Sequence, residues 1–319
     1  MDATRPTLDD IRAAAAQIAP HVHRTPVLTC GAIDSAAGME VFLKCENFQK
    51  VGAFKARGAC NAVMGLDEET AARGVVTHSS GNHAQALAWA AGLRDIPAHI
   101  VMPKNAPAIK RRAVEAYGGM VHECEPTVKD REANASRVCE ETGGTLIPPY
   151  DDPRIIAGQG TCALELLGQV PDLDAIICPV GGGGMLAGTA ITTNALSPQT
   201  TVYAAEPEQA DDAFRSMASG QIEPMDNPRT IADGLRTTLG EHTFPVISDI
   251  VKAVLLVSES EIAAAMRLTM ERAKIVVEPS GAVGVAAACK DSFNMHKRVG
   301  IIVTGGNVDL DQLPDLLAT

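Results

Sequence analysis

Residues 74–93 read GVVTHSSGNHAQALAWAAGL. An apolar run, Gly74 to His78, leads through a short polar stretch into the alanine-rich segment Ala84 to Leu93, whose composition favours helix. The chain then repeats that order, with a run at Ala98 to Met102, a helix around Ala108 to Ala116, a run at Met120 to Cys124, a polar helix at Lys129 to Thr142 and a run at Thr145 to Ile147. Runs of strand length alternating with segments of helical length form a βαβ series, which implies parallel sheet. A second series follows Pro149: Ala157 to Gln169 as helix, Ala175 to Val180 as strand, Met185 to Leu196 as helix, Thr201 to Ala205 as strand, and Val299 to Thr304 as the last strand. The fold expected is α/β, with two open, mostly parallel sheets flanked by helices. Ligands of such sheets gather beyond the carboxyl ends of the strands, so an active site between the two units is expected.

Outside these series, Thr7 and Asp10 have the spacing of a capped helix running to Ile18, ended by the Pro20 to Pro26 segment. Gln221 to Thr230, rich in Pro, Asp and Asn, reads as a surface loop. The 319 residues are 46% hydrophobic and 21% charged, ordinary for a chain that buries a substantial core. A formal charge of −12 leaves no basic block for nucleic acid. The start at Met1 lacks the apolar core of a signal peptide, and no later run reaches the length of a membrane span, so a cytoplasmic location is expected with no membrane partner. Eight cysteines are scattered without a C-x-x-C pair and read as reduced core residues.

Chemistry concentrates in three places. Gly181, Gly182, Gly183 and Gly184, followed by Met185, sit between a strand and a helix, where backbone N–H groups and the helix dipole favour an anion. Gly182-x-Gly184-x-x-Ala187 also satisfies the dinucleotide fingerprint, with Glu206 near the position of a ribose-binding acid, so this loop alone leaves an NAD-dependent dehydrogenase open. A Walker A loop is excluded, since no Lys-Ser or Lys-Thr follows the glycines. The other two places are Lys50-Val51-Gly52-Ala53-Phe54-Lys55-Ala56-Arg57-Gly58 and Thr77-His78-Ser79-Ser80-Gly81-Asn82-His83.

With the glycine loop and Thr304-Gly305-Gly306-Asn307, these segments resemble the signature set of fold-type II pyridoxal-phosphate enzymes over nearly the whole chain. Ser79-Ser80-Gly81-Asn82-His83, Ile156-Ala157-Gly158-Gln159-Gly160, Ala205-Glu206-Pro207, Ile231-Ala232-Asp233-Gly234 and Gly305-Gly306-Asn307-Val308-Asp309 are most similar to the serine racemases and serine/threonine dehydratases. The resemblance implies a large cofactor-binding domain from 1–73 plus 150–319 and a small, mobile domain at 74–149 that closes on substrate. It implies that Lys55 bonds pyridoxal 5′-phosphate and that Phe54 packs by its ring. Asn82 then meets the 3′-oxygen and Thr304 the pyridine nitrogen. The phosphate lies on Gly181 to Gly184 and the Met185 N–H, with Gly234 also at the cofactor.

Ser79, Ser80, Asn82 and His83 would receive the substrate carboxylate at a helix start. Racemisation requires a second proton carrier facing Lys55, and the resemblance gives that role to Ser80. Arg131 resembles an arginine that reaches the substrate side chain, where it can accept a second carboxylate, which keeps 3-hydroxyaspartate dehydration as an alternative. Glu206, Asp212 and the Ala210 carbonyl match a divalent-cation site suited to Mg2+, with Ca2+ or Mn2+ as alternatives. Val51, Ala53 and Gly31-Ala32 depart from the polar residues of the animal racemases' nucleotide site, which weighs against ATP activation. The expected partner is a small hydroxy-amino acid, and the expected assembly is a homodimer. A non-catalytic amino-acid sensor on the same fold is a third reading, set against Lys55, Ser80 and Thr304 together.

Overall fold

Ten strands form two sheets in the computed structural model, which describes residues 5–290, 293 and 296–319. The reading of the chain start at residues 1–4 lies outside the described residues. The strands are β1 (Val27–Leu28), β2 (Glu40–Cys45), β3 (Val75–His78), β4 (Ala98–Pro103), β5 (Met120–Cys124), β6 (Thr145–Leu146), β7 (Ala175–Pro179), β8 (Thr201–Pro207), β9 (Val254–Val257) and β10 (Arg298–Val303). The larger sheet has the order β1-β2-β10-β7-β8-β9 and is parallel except for the edge pair β1 and β2. The smaller sheet, β5-β4-β3-β6, is parallel throughout. This is the α/β architecture that the alternating runs imply.

Every residue of β7 is buried, as expected of a central parallel strand covered by helices on both faces. The helix before it starts at Pro153 rather than Ala157. The Asp152 side chain accepts from the Arg154 N–H at 2.8 Å and Pro153 occupies the first turn, a start signal placed ahead of the apolar periodicity. Thr7 and Asp10 form the expected reciprocal cap. Strands β1, β2 and β9 have no counterpart in the sequence reading.

Helix Lys55–Met64 packs against helix Pro153–Gln169 and helix Asn82–Gly92. Its N-terminus is tied to the end of β10, since the Phe54 N–H donates to the Thr304 carbonyl at 3.0 Å and Ala53 bridges Gly305. Its body crosses helix Pro153–Gln169 so closely that a Cβ on Gly158 would stand 2.6 Å from the Gly58 Cα. Only glycine fits that crossing. Beside it, Arg57 pairs with Glu46 at 2.7 Å and with Glu165 at 2.8 Å, and Lys44 reaches Glu165 at 2.6 Å, so these interior cations are matched by carboxylates. Among the described residues, no helix is long and apolar enough to cross a membrane.

Candidate active site

The carboxyl ends of β3, β7 and β10 lead into residues 77–83, the glycine loop and residues 304–307, and the segment 50–58 is bridged to the end of β10. After β7, the turn Gly181–Gly183 enters helix Gly184–Leu196, with Gly183 at φ +90°, a conformation that L side chains rarely adopt. A Cβ on Gly182 would lie 2.3 Å from the Tyr150 ring, and one on Gly184 would lie 2.9 Å from the Tyr150 carbonyl. Among the described residues, no backbone or side-chain acceptor takes the N–H groups of Gly181, Gly182, Gly183, Gly184 or Met185. A buried backbone donor without a partner is costly, so five in succession at a helix N-terminus make a seat for an anion. Gly234 borders the seat, its carbonyl 3.2 Å from a Cβ placed on Gly181, while its own N–H donates to Ser280 Oγ at 3.0 Å.

Lys55 opens its helix, and its Nζ donates to the Pro149 carbonyl at 2.6 Å and lies 5.0 Å from the centre of the Phe54 ring. No carboxylate pairs with it among the described residues. Burial of the amine penalises its charged form and lowers its pKa to about 8. Pro149, Tyr150 and Asp151 form a continuous strap along the site. Pro149 receives Lys55, Tyr150 covers Gly182, and Asp151 accepts the Glu241 and His242 N–H groups at 2.9 and 2.8 Å. Tyr150 was not singled out by sequence; the only signal for it is the Pro-Pro-Tyr-Asp-Asp-Pro turn in which it sits.

After β3, helix Asn82–Gly92 begins beside Ser79 and Ser80, both half-buried. Ser79 Oγ accepts from the Gly81 N–H at 3.3 Å. The Asn82 carboxamide is clamped at both ends, its Nδ2 donating to Glu278 Oε1 at 2.9 Å and its Oδ1 accepting from Asn307 Nδ2 at 2.9 Å. Glu278 is a second residue that sequence reasoning missed. Burial, followed by repulsion from Asp233, pushes its carboxyl up to about 8. His83 is buried, its Nε2 lies 3.0 Å from the Ile147 carbonyl, and its Nδ1 has no partner among the described residues. Thr304 is buried where β10 ends. Arg131 sits in the first turn of helix Val128–Thr142, with a buried Nε that has no hydrogen-bond acceptor among the described residues.

Glu206 and Asp212 come together at the end of β8. The Ala213 and Phe214 N–H groups donate to the two Glu206 oxygens at 3.0 and 2.9 Å, and the Leu239 N–H donates to Asp212 Oδ2 at 2.9 Å. Asp212 Oδ1 is buried without a partner among the described residues, and burial holds both carboxyls well above the usual range. Ala210, the third expected ligand, is buried in the turn between them. Glu206 is enclosed, rather than open to a ribose as a dinucleotide enzyme would require. Among the described residues there is no group of three or more His, Cys, Asp or Glu side chains able to hold a metal, so a cation at this pair would need the backbone carbonyl.

The sequence model for the family described as pyridoxal-phosphate dependent enzyme matches residues 18–305. The chain is 52% identical over 310 residues to the beta-hydroxyaspartate dehydratase of Paracoccus denitrificans, covering 97% of this chain and 98% of that protein. It is 50% identical over 316 residues to the serine racemase of Dictyostelium discoideum, covering 98% of each. The solved structure of maize serine racemase superposes with a TM-score of 0.95 at 49% identity, covering 98% of this chain and 97% of that one.

Proposed function

The chain belongs to the pyridoxal-phosphate dependent enzyme family, and from that premise we propose that it racemises serine and converts serine or threonine to the keto acid and ammonia. The observation that carries this reading is the row of five N–H groups, Gly181 to Met185, that find no acceptor among the described residues, in the same site as the Lys55 amine that no carboxylate among them neutralises. The row fits a phosphate and the amine fits an aldehyde carbon, because a lysine with a lowered pKa offers a neutral, nucleophilic nitrogen. Pyridoxal phosphate bound there supplies electron withdrawal that acidifies the Cα hydrogen of the amino acid. Phe54 would flank the ring, Asn82 would hold the 3′-oxygen, Gly234 would border the phosphate, and Thr304 would meet the ring nitrogen with a neutral hydroxyl. The substrate carboxylate would lie against Ser79, Ser80, Asn82 and His83 at the helix start.

Lys55 then takes the Cα proton of the L-isomer on one face, and Ser80 returns a proton on the other to give the D-isomer. Loss of the β-hydroxyl in place of that return leads to keto acid and ammonia. Residues 74–149 would act as the small closing domain and 1–73 plus 150–319 as the large one, a division supported by the separate sheet β5-β4-β3-β6 that the former carry. Glu206, Asp212 and the Ala210 carbonyl would hold Mg2+, Ca2+ or Mn2+, which the unpartnered Asp212 Oδ1 supports. The family resemblance extends the proposal to a cytoplasmic homodimer.

A second reading is favoured by one specific observation. The buried, unpartnered Nε of Arg131 suits a second substrate carboxylate, and a relative at 52% identity is named for beta-hydroxyaspartate dehydration. A panel of L-serine, L-threonine and 3-hydroxyaspartate, scored for keto acid and for D-isomer, tests both readings. D-serine formation together with pyruvate supports the first. Oxaloacetate as the only rapid product, lost in Arg131→Ala, supports the second.

A further inference from the structure

Val51, just ahead of Lys55, holds a φ of 55°, in the left-handed region that a β-branched side chain enters only under constraint. The turn aims the Val51 carbonyl at Asn307, whose Nδ2 donates to it at 2.7 Å. The neighbouring Gly306 N–H donates to the Gly52 carbonyl at 3.0 Å, so one loop holds the turn twice. Asn307 lies so close over Gly52 that a Cβ there would stand 2.5 Å from its Oδ1.

The polarity of a row of side chains follows from the Val51 carbonyl. A carbonyl only accepts, so the end of the Asn307 carboxamide that faces it is Nδ2. The same Nδ2 lies 2.9 Å from the Asn82 side chain, and its second hydrogen requires an acceptor there, so Asn82 turns Oδ1 towards Asn307. The Asn82 Nδ2 is thereby sent to the far end, where one of its hydrogens goes to Glu278 Oε1 at 2.9 Å. Glu278 is buried, and its own N–H donates to the Gly305 carbonyl at 3.1 Å, so this acceptor is tied to the same loop as Asn307. The second hydrogen of Asn82 Nδ2 finds no acceptor among the described residues.

We propose that Asn307 is a positioning residue for Asn82. By donating to the Asn82 oxygen, it leaves the remaining N–H of that carboxamide for the 3′-oxygen of pyridoxal phosphate. This rests on the proposed contact between Asn82 and that oxygen. A carboxamide has a donor end and an acceptor end of nearly the same shape, and nothing in Asn82 itself chooses between them. Turned the other way, Asn82 would set its own oxygen against the electron-rich oxygen of the cofactor. The row Val51, Asn307, Asn82 and Glu278 makes the choice before the cofactor arrives, and the left-handed turn at Val51 aims the carbonyl from which it starts.

The test compares two compounds on the full chain freed of cofactor: pyridoxal phosphate, and 3-deoxypyridoxal phosphate, which keeps the aldehyde and the phosphate but lacks the 3′-oxygen. Affinities are read by fluorescence titration in wild type and in Asn307→Asp, which keeps the shape of the side chain but has no N–H to give. Asn307 is exposed, so the added charge stays in water. Asn307→Asp is expected to bind pyridoxal phosphate roughly 10- to 100-fold more weakly, the worth of one hydrogen bond to a charged oxygen. The 3-deoxy compound is expected to bind within about twofold of its wild-type affinity, since it has no oxygen for Asn82 to meet. Equal losses for the two compounds, or no loss for either, overturn the proposal. Should Asn307→Asp not fold, Asn307→Ala goes through the same titrations; a loss confined to pyridoxal phosphate supports the proposal and an equal loss contradicts it. A wild type that takes up neither compound would remove the proposed function itself. One that takes up both with equal affinity would remove only the Asn82 contact, and the role of Asn307 with it.

Discussion

Lys44 and Lys55 lie eleven positions apart, and the molecule treats their amines in opposite ways. Lys44 has no exposed surface, and its Nζ donates to Glu165 at 2.6 Å, to the Thr25 carbonyl at 2.8 Å and to Gln169 at 2.8 Å. Its three hydrogens are therefore matched, one of them by a carboxylate, in a network continued by Arg57 and Glu46. Lys55 is half-buried, has one carbonyl for a partner among the described residues, and its pKa falls to about 8. Burial alone therefore does not make a lysine reactive. Pairing with a carboxylate makes one amine scaffolding, and the lack of such a pair leaves the other ready to become neutral.

The contrast is sharpest under substitution. Lys55→Ala should lower turnover on the order of 10³-fold or more, since it removes both nucleophile and base, with little change in the denaturation midpoint. Lys44→Met should do the reverse. Leaving Glu165 short of a partner costs about 3–5 kcal/mol in urea unfolding, while the folded fraction still takes up cofactor. A Lys44→Met protein that was as stable as wild type but inactive would break the comparison.

Smaller effects sharpen it on the Lys55 side. Ser80→Ala should cut D-serine formation by about 10²-fold while keto-acid release falls much less; equal losses would remove Ser80 as the second proton carrier. Gly182→Ala places a methyl group within 2.3 Å of the Tyr150 ring and should weaken cofactor affinity by roughly tenfold, read by fluorescence titration. The smallest effect is on pH. His83 has a folded-state pKa near 3 against 6.5 unfolded, so it contributes stability fully above 6.5 that is lost as pH falls towards 3. Urea midpoints should drop over that window, and His83→Asn should flatten the drop.

Much of the fold was legible because strands buried on both faces appear as short apolar runs between helical segments. The pattern fails where a strand carries charge: β2, Glu40–Cys45, contains Lys44, whose partners Glu165 and Gln169 lie on a helix more than 120 residues away. Edge strands β1 and β9 lie outside the two alternating series, where no regular strand-helix alternation marks them. Within the site, the glycine loop and the segments around Lys55 and Ser80 are contiguous motifs and could be read directly. Tyr150 and Glu278 could not, since each matters through a contact formed only on folding, the first over Gly182 and the second at Asn82. The same holds for His83, whose tautomer is set by the Ile147 carbonyl.

The most direct test of the difference between the two lysines is borohydride reduction of the purified holoenzyme, followed by proteolysis and peptide mass analysis. The account predicts a pyridoxyl-phosphate mass on the peptide containing Lys55 and none on the peptide containing Lys44. A mass on any other lysine, or folded protein that carries no reducible cofactor after incubation with pyridoxal phosphate, would contradict it.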